Sequence, residues 1–241
     1  MPRLIHQIQN LFFPAICEIC GTFTPPLTYV CKSCETKWLP PIDTHSCLTC
    51  GTILHHSKSS PKRCINCLER RYHFQKNVSA LPYQHKMKEL LLSYKFGKKI
   101  HLSRFFARQI IEKIYHSNLS LQNVTLTYVP IHPKRFKQRG FNQAQELARH
   151  VAQHFQLPFL GLLSKTNHTV AQALLDHSDR EKNIQGVFTP CLRSLEKLKE
   201  NTTIWLIDDV FTTGATVNEC AKMLSQSPKI TSIITITAFH G

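Results

Sequence analysis

The chain has 241 residues, which is enough for one or two domains with a buried core. Hydrophobic residues make up 42 % of it and charged residues 19 %, which is ordinary for a folded protein. No apolar run reaches the ~18 residues of a membrane-spanning helix, and the N-terminus is too polar for a secretory signal. We therefore expect a cytoplasmic protein.

The charge is strongly basic and unevenly distributed. Lys and Arg total 30 against 15 Asp and Glu, a formal net charge of +15. Residues 1–141 hold 21 basic and 6 acidic side chains, whereas residues 142–241 hold 9 of each. The N-terminal part should therefore attract polyanions, with nucleic acid first and anionic lipid or phosphorylated metabolites after it. Solubility alone is the alternative explanation.

Eight of the ten cysteines form four Cys-x-x-Cys pairs. The pairs are Cys17 with Cys20, Cys31 with Cys34, Cys47 with Cys50, and Cys64 with Cys67. One pair can place two thiolates on an edge of a tetrahedron, so two neighbouring pairs can complete a four-sulfur zinc site. Pairing in chain order predicts two structural zinc sites, and an interleaved pairing stays open. A redox pair is disfavoured, because that chemistry uses a single Cys-x-x-Cys beside a βαβ unit.

Residues 1–70 are predicted to be a zinc-ribbon domain, because they carry all four pairs, several prolines and little hydrophobic periodicity. Gly21 and Gly51 directly follow the second cysteine of their pairs, where a tight turn favours a positive φ. Three histidines could also serve as ligands, but four complete pairs make that unnecessary, and we expect surface positions. These are His45, His55 and His56. Apolar residues within 4–12 predict a helix that packs on the zinc domain or, alternatively, lies on a membrane surface.

From residue 71 to residue 241 the pattern predicts an α/β domain. Residues 68–83 should be a basic linker that enters a strand. Hydrophobic spacing predicts helices over 87–94, 102–114, 142–155 and 216–224, and apolar runs predict strands over 124–131, 202–210 and 230–239. No internal repeat is evident. This alternation indicates a mostly parallel sheet with helices on both faces and with ligands at the carboxyl ends of its strands.

One predicted strand ends in two acidic residues and leads into a loop of small residues. The acidic residues are Asp208 and Asp209, and the loop consists of Thr212, Thr213, Gly214, Ala215 and Thr216. Backbone N–H groups, threonine hydroxyls and a helix dipole suit a phosphate, while paired carboxylates can accept hydrogen bonds from sugar hydroxyls or bind a divalent metal. Together they predict a ribose 5-phosphate site. A P-loop nucleoside triphosphatase is excluded, because no GxxxxGK[ST] motif occurs.

A second candidate loop follows the strand predicted over 124–131. It carries four cations between Pro133 and Gly140, which suit a pyrophosphate because its charge needs several donors. The residues assigned to this pyrophosphate loop are His132, Lys134, Arg135 and Arg139. A solvated basic turn is the alternative, although Phe136 and Phe141 would be awkward in it.

These motifs resemble those of known families. Residues 207–216 resemble the phosphoribosyl-pyrophosphate (PRPP) signature of type I phosphoribosyltransferases, and residues 129–144 together with the cysteine-rich head resemble the ComF family of competence proteins. The resemblance implies that the acidic pair holds the ribose of PRPP with Mg²⁺ present, and that residues 212–216 hold its 5′-phosphate. Residues 165–188 are similar to the family's mobile region, although Lys165 stands where arginine is expected.

The resemblance implies two alternative functions. In the first, the chain is a competence accessory protein that binds PRPP and single-stranded DNA and aids DNA uptake across the inner membrane in natural transformation. It would then be cytoplasmic or peripheral at the inner membrane, with a competence helicase or another DNA-processing protein as a partner. In the second, it is a working phosphoribosyltransferase on an unidentified acceptor, in which Mg-bound pyrophosphate is displaced at C1′. No general base can be named for that reaction.

Basic and aromatic residues are interleaved between residues 37 and 99, a mixture typical of single-strand binding. The cations chosen as nucleic-acid contacts are Lys95, Lys98 and Lys99. The aromatic residues that could stack on bases are Trp38, Tyr72, Phe74, Tyr83, Tyr94 and Phe96. The same rings could instead belong to the hydrophobic core.

Overall fold

The computed structural model describes residues 15–39, 46–52, 54, 63–165 and 186–241. Three predictions lie outside these ranges, namely the helix within 4–12, the positions of the histidines, and most of the mobile region. No helix in the described ranges is long and apolar enough to cross a membrane.

The centre of the fold is a four-stranded sheet in which all neighbouring strands are parallel. Its strands are β1 (Lys76–Pro82), β2 (Val124–Tyr128), β5 (Thr202–Phe211) and β6 (Ile230–His240), in the order β1-β6-β5-β2. A separate antiparallel pair joins β3 (Leu163–Lys165) to β4 (Phe188–Pro190). Pro82, Phe211 and His240 lie level in the register, so the carboxyl ends of three strands form one edge.

Helices cover both faces of this sheet. They are α1 (Lys32–Trp38), α2 (Ile65–Glu69), α3 (His85–Phe96), α4 (Leu102–Tyr115), α5 (Pro133–Arg139), α6 (Gln143–Phe155), α7 (Leu192–Leu195) and α8 (Ala215–Leu224). One hydrophobic cluster joins α3, α4 and α6 to one face, and another joins α8 to the opposite face. The α/β class with a parallel sheet is therefore confirmed.

The long helices form where the hydrophobic spacing predicts them. In α3, Met87, Leu91 and Tyr94 are buried, and in α4 the stripe from Leu102 to Ile114 is buried as well. The α6 helix begins after Asn142, whose side chain accepts a hydrogen bond from the Gln145 N–H at 3.3 Å. An asparagine in this place satisfies one of the free N–H groups of the first turn, as the sequence predicts.

Two segments differ from the sequence-based expectation. The basic loop after β2 is the short helix α5, because Pro133 occupies its first turn and the His132 ring accepts a hydrogen bond from the Lys134 N–H at 3.1 Å. Gly140 ends it with a φ of 80°. The linker predicted over 68–83 begins with the end of α2, which was not expected, while the strand that it was expected to enter is β1.

The cysteine-rich residues form two modules that pack on different faces of the α/β domain. The first cysteine module is residues 15–39, and the second cysteine module is residues 46–52, 54 and 63–69. Cys17 and Cys34 belong to the hydrophobic cluster of α3, α4 and α6. Cys47, Cys50 and Cys67 belong to the cluster of α8. Each module therefore extends a different half of the core.

Candidate functional site

The eight thiols of the Cys-x-x-Cys pairs form two tetrads in chain order. One tetrad is Cys17, Cys20, Cys31 and Cys34, and the other is Cys47, Cys50, Cys64 and Cys67, with all Sγ atoms of a tetrad within 4.8 Å of one another. The Sγ atoms of Cys20 and Cys31 are 3.7 Å apart, and those of Cys50 and Cys64 are 3.6 Å apart. A tetrahedron of ~2.3 Å Zn–S bonds has edges of about 3.8 Å, so each tetrad fits one zinc ion.

The two modules share the same turn, a repeat that the sequence analysis missed. In each, the first cysteine N–H bonds to the carbonyl of a threonine five residues on, at 2.8 Å, and the glycine N–H bonds back to that cysteine at 2.9 Å. The repeated sequence is Cys-x-x-Cys-Gly-Thr, at 17–22 and 47–52. Gly21 and Gly51 have φ values of 75° and 80°, as predicted.

Hydrogen bonds to sulfur favour the thiolate form that a metal needs. The Thr22 hydroxyl lowers the pKa of the Cys20 thiol to about 6. Burial raises the pKa of Cys47, but backbone N–H groups of residues 49, 50 and 64 outweigh that effect and lower it to about 7. Burial raises the pKa of Cys34, Cys50 and Cys67, so each tetrad combines thiols of both kinds, and full deprotonation needs the positive charge of a metal.

The acidic pair lies at the end of β5 and is partly buried. The Asp209 N–H donates to Asp208 Oδ1 at 2.8 Å, and Asp209 Oδ1 lies 3.0 Å from Lys95 Nζ. The two side chains of this ion pair are 14 % and 20 % exposed. Burial and the adjacent Asp209 carboxylate raise the pKa of Asp208 to about 8. The pair therefore carries less negative charge near neutral pH than two surface aspartates would.

The small-residue loop after β5 wraps closely around aromatic rings. Gly214 has a φ of 78° and precedes the first turn of α8, where Ala215 N–H bonds to Thr213 Oγ1 at 3.3 Å. A Cβ at Gly214 would lie 2.5 Å from Phe211 Cζ and 3.1 Å from Tyr72 Cε1. Glycine is therefore required here, because other residues rarely adopt this φ and because the rings leave no space for a Cβ atom. Thr212 is exposed, so the loop is open to a ligand.

The cations of α5 follow β2, the strand beside β5, and so belong to the same edge of the sheet. Lys134 and Arg135 are exposed. Arg139 is partly buried, donates to Gln143 Oε1 at 2.9 Å and places its guanidinium 4.9 Å from the centre of the Phe96 ring. Burial lowers the pKa of Arg139, and the negative charge of Asp209 opposes that shift. The Asp209 carboxylate therefore acts electrostatically on this guanidinium.

Lys165 lies at the end of β3, with its ammonium 5.1 Å from the centre of the Phe188 ring in β4. Burial lowers the pKa of this ammonium, Arg135 lowers it further, and Asp208 opposes both effects.

The three lysines chosen as nucleic-acid contacts occupy different environments. Lys95 pairs with Asp209, and Lys99 Nζ donates to Glu18 Oε2 at 2.5 Å. Lys98 is exposed, with a φ of 55°. The spacing of Met87, Leu91 and Lys95 places all three on one face of α3. The sequence therefore held a signal that Lys95 lies on the buried face of α3 rather than on its exposed face.

The six aromatic residues that could stack on bases also differ in how far they are buried. Phe74 and Tyr94 are buried, and Phe96 is exposed. Trp38, Tyr72 and Tyr83 are partly buried. Two of the six rings are therefore buried in the core, and three more pack against it with part of each ring exposed.

Sequence comparison finds relatives over most of the chain. Competence protein F of Haemophilus influenzae is 28 % identical over 182 residues, which cover 74 % of this chain and 77 % of that protein. Competence protein ComFC of Bacillus subtilis is 27 % identical over 222 residues, covering 88 % and 84 %. DNA utilization protein YhgH of Escherichia coli K12 is 26 % identical over 214 residues, covering 87 % and 83 %. No protein-family model matches the chain.

Structure comparison finds adenine phosphoribosyltransferases. The enzyme from Leishmania tarentolae is 11 % identical with a TM-score of 0.39, and the match covers 68 % of this chain and 91 % of that chain. The enzyme from Saccharomyces cerevisiae is 8 % identical with a TM-score of 0.33, covering 56 % and 68 %.

The thiol tetrads lead to a first prediction. Protein purified without a chelator should carry about two zinc ions per chain, because each tetrad supplies four thiolates. Metal analysis by mass spectrometry measures this directly. One zinc per chain would mean that a tetrad is empty, and none would contradict the assignment.

The raised pKa of Asp208 leads to a second prediction. The neutral carboxyl is favoured in the fold, so its stabilising contribution is present below the ordinary pKa of 3.8 and is lost as pH rises through about 8. Asp208→Asn should therefore gain thermal stability relative to wild type as pH is raised from about 5 to about 8. Thermal denaturation at both pH values measures the difference.

The control for this prediction is Glu196→Gln, which changes an exposed carboxyl that precedes β5, whereas Asp208 lies towards the carboxyl end of that strand. Its stability should follow wild type at both pH values. An Asp208→Asn variant that also follows wild type would mean that Asp208 is not desolvated in the folded chain.

Proposed function

We propose that this homologue of the ComF competence proteins binds PRPP with Mg²⁺, contacts single-stranded DNA and assists DNA uptake across the inner membrane in natural transformation. The relatives named as DNA utilization proteins support a role in handling DNA. Cytoplasmic action, with peripheral contact at the inner membrane, is part of this proposal. The proposal also includes a competence helicase or another DNA-processing protein as a partner.

The observation that carries the PRPP proposal is the placement of three groups along one sheet edge. The acidic pair Asp208 and Asp209 lies near the carboxyl end of β5, the small-residue loop follows that strand, and the cationic helix follows the neighbouring strand β2. PRPP carries three groups that suit these elements, namely vicinal ribose hydroxyls, a 5′-phosphate and a pyrophosphate. The backbone N–H groups at the start of α8 suit the 5′-phosphate. Arg139, Arg135 and Lys134 suit the pyrophosphate.

Lys95 balances the charge of the acidic pair when no ligand is bound. Its ammonium neutralises Asp209 while the Asp208 carboxyl is held partly protonated, so two adjacent acids coexist at the strand end. Mg²⁺ supplies positive charge for the pyrophosphate when PRPP is bound. The ribose hydroxyls would then compete with Lys95 for the Asp209 carboxylate.

DNA contact is best supported by a surface beside this edge, where cations lie over partly exposed rings. Lys37 Nζ is 5.1 Å from the centre of the Trp38 ring, and Lys88 Nζ is 5.4 Å from that of Tyr83. The Trp38 and His85 rings are 6.2 Å apart, which joins the two pairs. We call these five residues the basic aromatic surface. Rings stack on bases of any sequence, and the ammonium groups suit phosphates.

The alternative function is phosphoribosyl transfer to an unidentified acceptor. A cleft of about 1010 Å³ adjoins Thr212 and Thr213 and gives room for an acceptor. In that reaction the bond from C1′ to the pyrophosphate oxygen breaks, the acceptor bonds to C1′, and the α5 cations stabilise the departing charge. Release of labelled pyrophosphate from PRPP, with and without single-stranded DNA, separates turnover from binding.

A third prediction tests the PRPP site. Asp208→Asn with Asp209→Asn should abolish Mg-PRPP binding in calorimetry, because the ribose hydroxyls lose both carboxyl acceptors. Zinc content and circular dichroism should stay at wild-type values, since neither side chain belongs to the hydrophobic core. Glu196→Gln with Glu200→Gln is the matched control, since it also removes two exposed carboxylates, and it should bind as wild type does. Unchanged binding by the double variant would contradict the assignment of these two residues.

A fourth prediction tests the basic aromatic surface. Single-stranded DNA should bind with little sequence preference, and the logarithm of its affinity should fall with the logarithm of salt by roughly 0.7 per phosphate contacted. Changing Lys37, Lys88 and the exposed Lys98 to Glu should flatten that slope. Fluorescence anisotropy over a salt series measures it.

The matched control for the DNA experiment changes three exposed cations in the neutral C-terminal part to Glu. They are Arg193, Lys197 and Lys199. This variant alters the net charge by the same amount, so a slope that falls equally in both variants would show a general charge effect. Binding that does not respond to salt would argue against phosphate contacts altogether.

A further inference from the structure

The second cysteine module packs directly beside the small-residue loop. Its buried cysteines share one hydrophobic cluster with Phe74, Phe211 and Val217, which flank the loop. The Tyr72 ring stacks on Phe74 with centroids 4.7 Å apart and meets Phe211 edge-on at 6.4 Å. Tyr72 Cε1 is also one of the atoms that leave no room for a side chain at Gly214. One continuous cluster thus joins the zinc ligands to the loop.

The segment that leaves α2 makes polar contacts with the same loop and with α8. Arg70 Nη1 and the Tyr72 hydroxyl each lie 3.4 Å from the Thr213 carbonyl oxygen. The His73 N–H donates to Asn218 Oδ1 at 2.7 Å. Residues 70–73 follow Cys67 by only a few positions, so the fourth zinc ligand and these contacts share one short stretch of chain.

The other side of the loop is also tied to the second module. The Thr52 hydroxyl is 2.8 Å from His240 Nε2, and the His240 ring stacks on Phe211 with centroids 5.3 Å apart. The Gly241 N–H donates to the Phe211 carbonyl at 2.8 Å. Phe211, the residue before the loop, is therefore held between contacts that both lead back to the second module.

The first cysteine module contacts a different part of the fold. Glu18 bonds to Lys99 and to His101 Nε2 at 2.6 Å, in the connection between α3 and α4. Glu35 forms an ion pair with Arg108 of α4. The two modules carry the same turn but hold different elements.

We infer that zinc in the second cysteine module positions the small-residue loop for a 5′-phosphate, with Tyr72 as the positioning residue between them. This inference rests on the proposed PRPP site. The α2 helix has only five residues and contains or adjoins Cys64 and Cys67, so without metal it is too short to be stable. Residues 70–73 would then lose their anchor, and Tyr72 would no longer support Gly214.

The fifth prediction uses two matched cysteine variants. Cys31 and Cys64 are equivalent ligands, since each is partly exposed and directly precedes a short helix. Each serine variant should lose about one zinc per chain. Hydrogen exchange at amides 213–218 should accelerate in Cys64→Ser and stay slow in Cys31→Ser. Equal exchange at these amides in the two variants would overturn the inference.

Ligand binding gives a second readout. If the loop is competent for about a tenth of the time, the apparent Kd for ribose 5-phosphate rises about tenfold, and we expect this for Cys64→Ser relative to Cys31→Ser. Binding of Mg-pyrophosphate, which does not use the loop, should change equally in both. If wild type binds no ribose 5-phosphate, the proposed function fails, while the exchange result still decides whether the module positions the loop.

Tyr72 variants keep the inference testable if Cys64→Ser does not fold. Tyr72→Ala should retain both zinc ions yet show faster exchange at 213–218 and weaker ribose 5-phosphate binding. Tyr72→Phe should restore both properties, because the ring packing is kept and only the long hydroxyl contact is lost. Wild-type exchange in Tyr72→Ala would overturn the positioning role.

Discussion

Two adjacent carboxylates at the end of a buried strand impose the main constraint on this fold. Asp208 and Asp209 repel each other in a poorly hydrated place, so each tolerated charge needs a compensating group. Lys95 of α3 compensates the charge of Asp209 through an ion pair, while burial and the Asp209 carboxylate raise the pKa of Asp208 to about 8 and so reduce its charge. Arg139 of α5 and Lys165 of β3 respond electrostatically to the pair without forming an ion pair with it. The ion pair of Lys95 ties α3 to the end of β5.

In the two cysteine modules, a metal held by the thiol tetrads would take the place of a hydrophobic core. Neither cysteine module has enough apolar residues to fold by itself, and each instead adds its buried thiols to one half of the α/β core. The zinc ligands are thus continuous with the interior rather than appended to it. This arrangement makes the metal sites part of the support of the sheet edge.

Helices, loops and motifs that depend on residues close together in the sequence could be predicted. Contacts between residues far apart in the sequence could not. The acidic pair, the small-residue loop and the long helices each follow from a local pattern. The α5 helix was missed although Pro133 and Gly140 mark its two ends, because its charges suggested a loop. The contact of Tyr72 with Thr213 joins residues 141 positions apart. No pattern in a single sequence indicates such a pair.

The different attachments of the two modules impose an order on biosynthesis. A ribosome releases the chain from its N-terminus, and domains fold as their parts emerge. The partners of the first module, Lys99, His101 and Arg108, follow soon after it. The second module must wait for Asn218 and His240, which follow their partners His73 and Thr52 by 145 and 188 residues. Its polar contacts with the α/β domain therefore form later in synthesis than those of the first module.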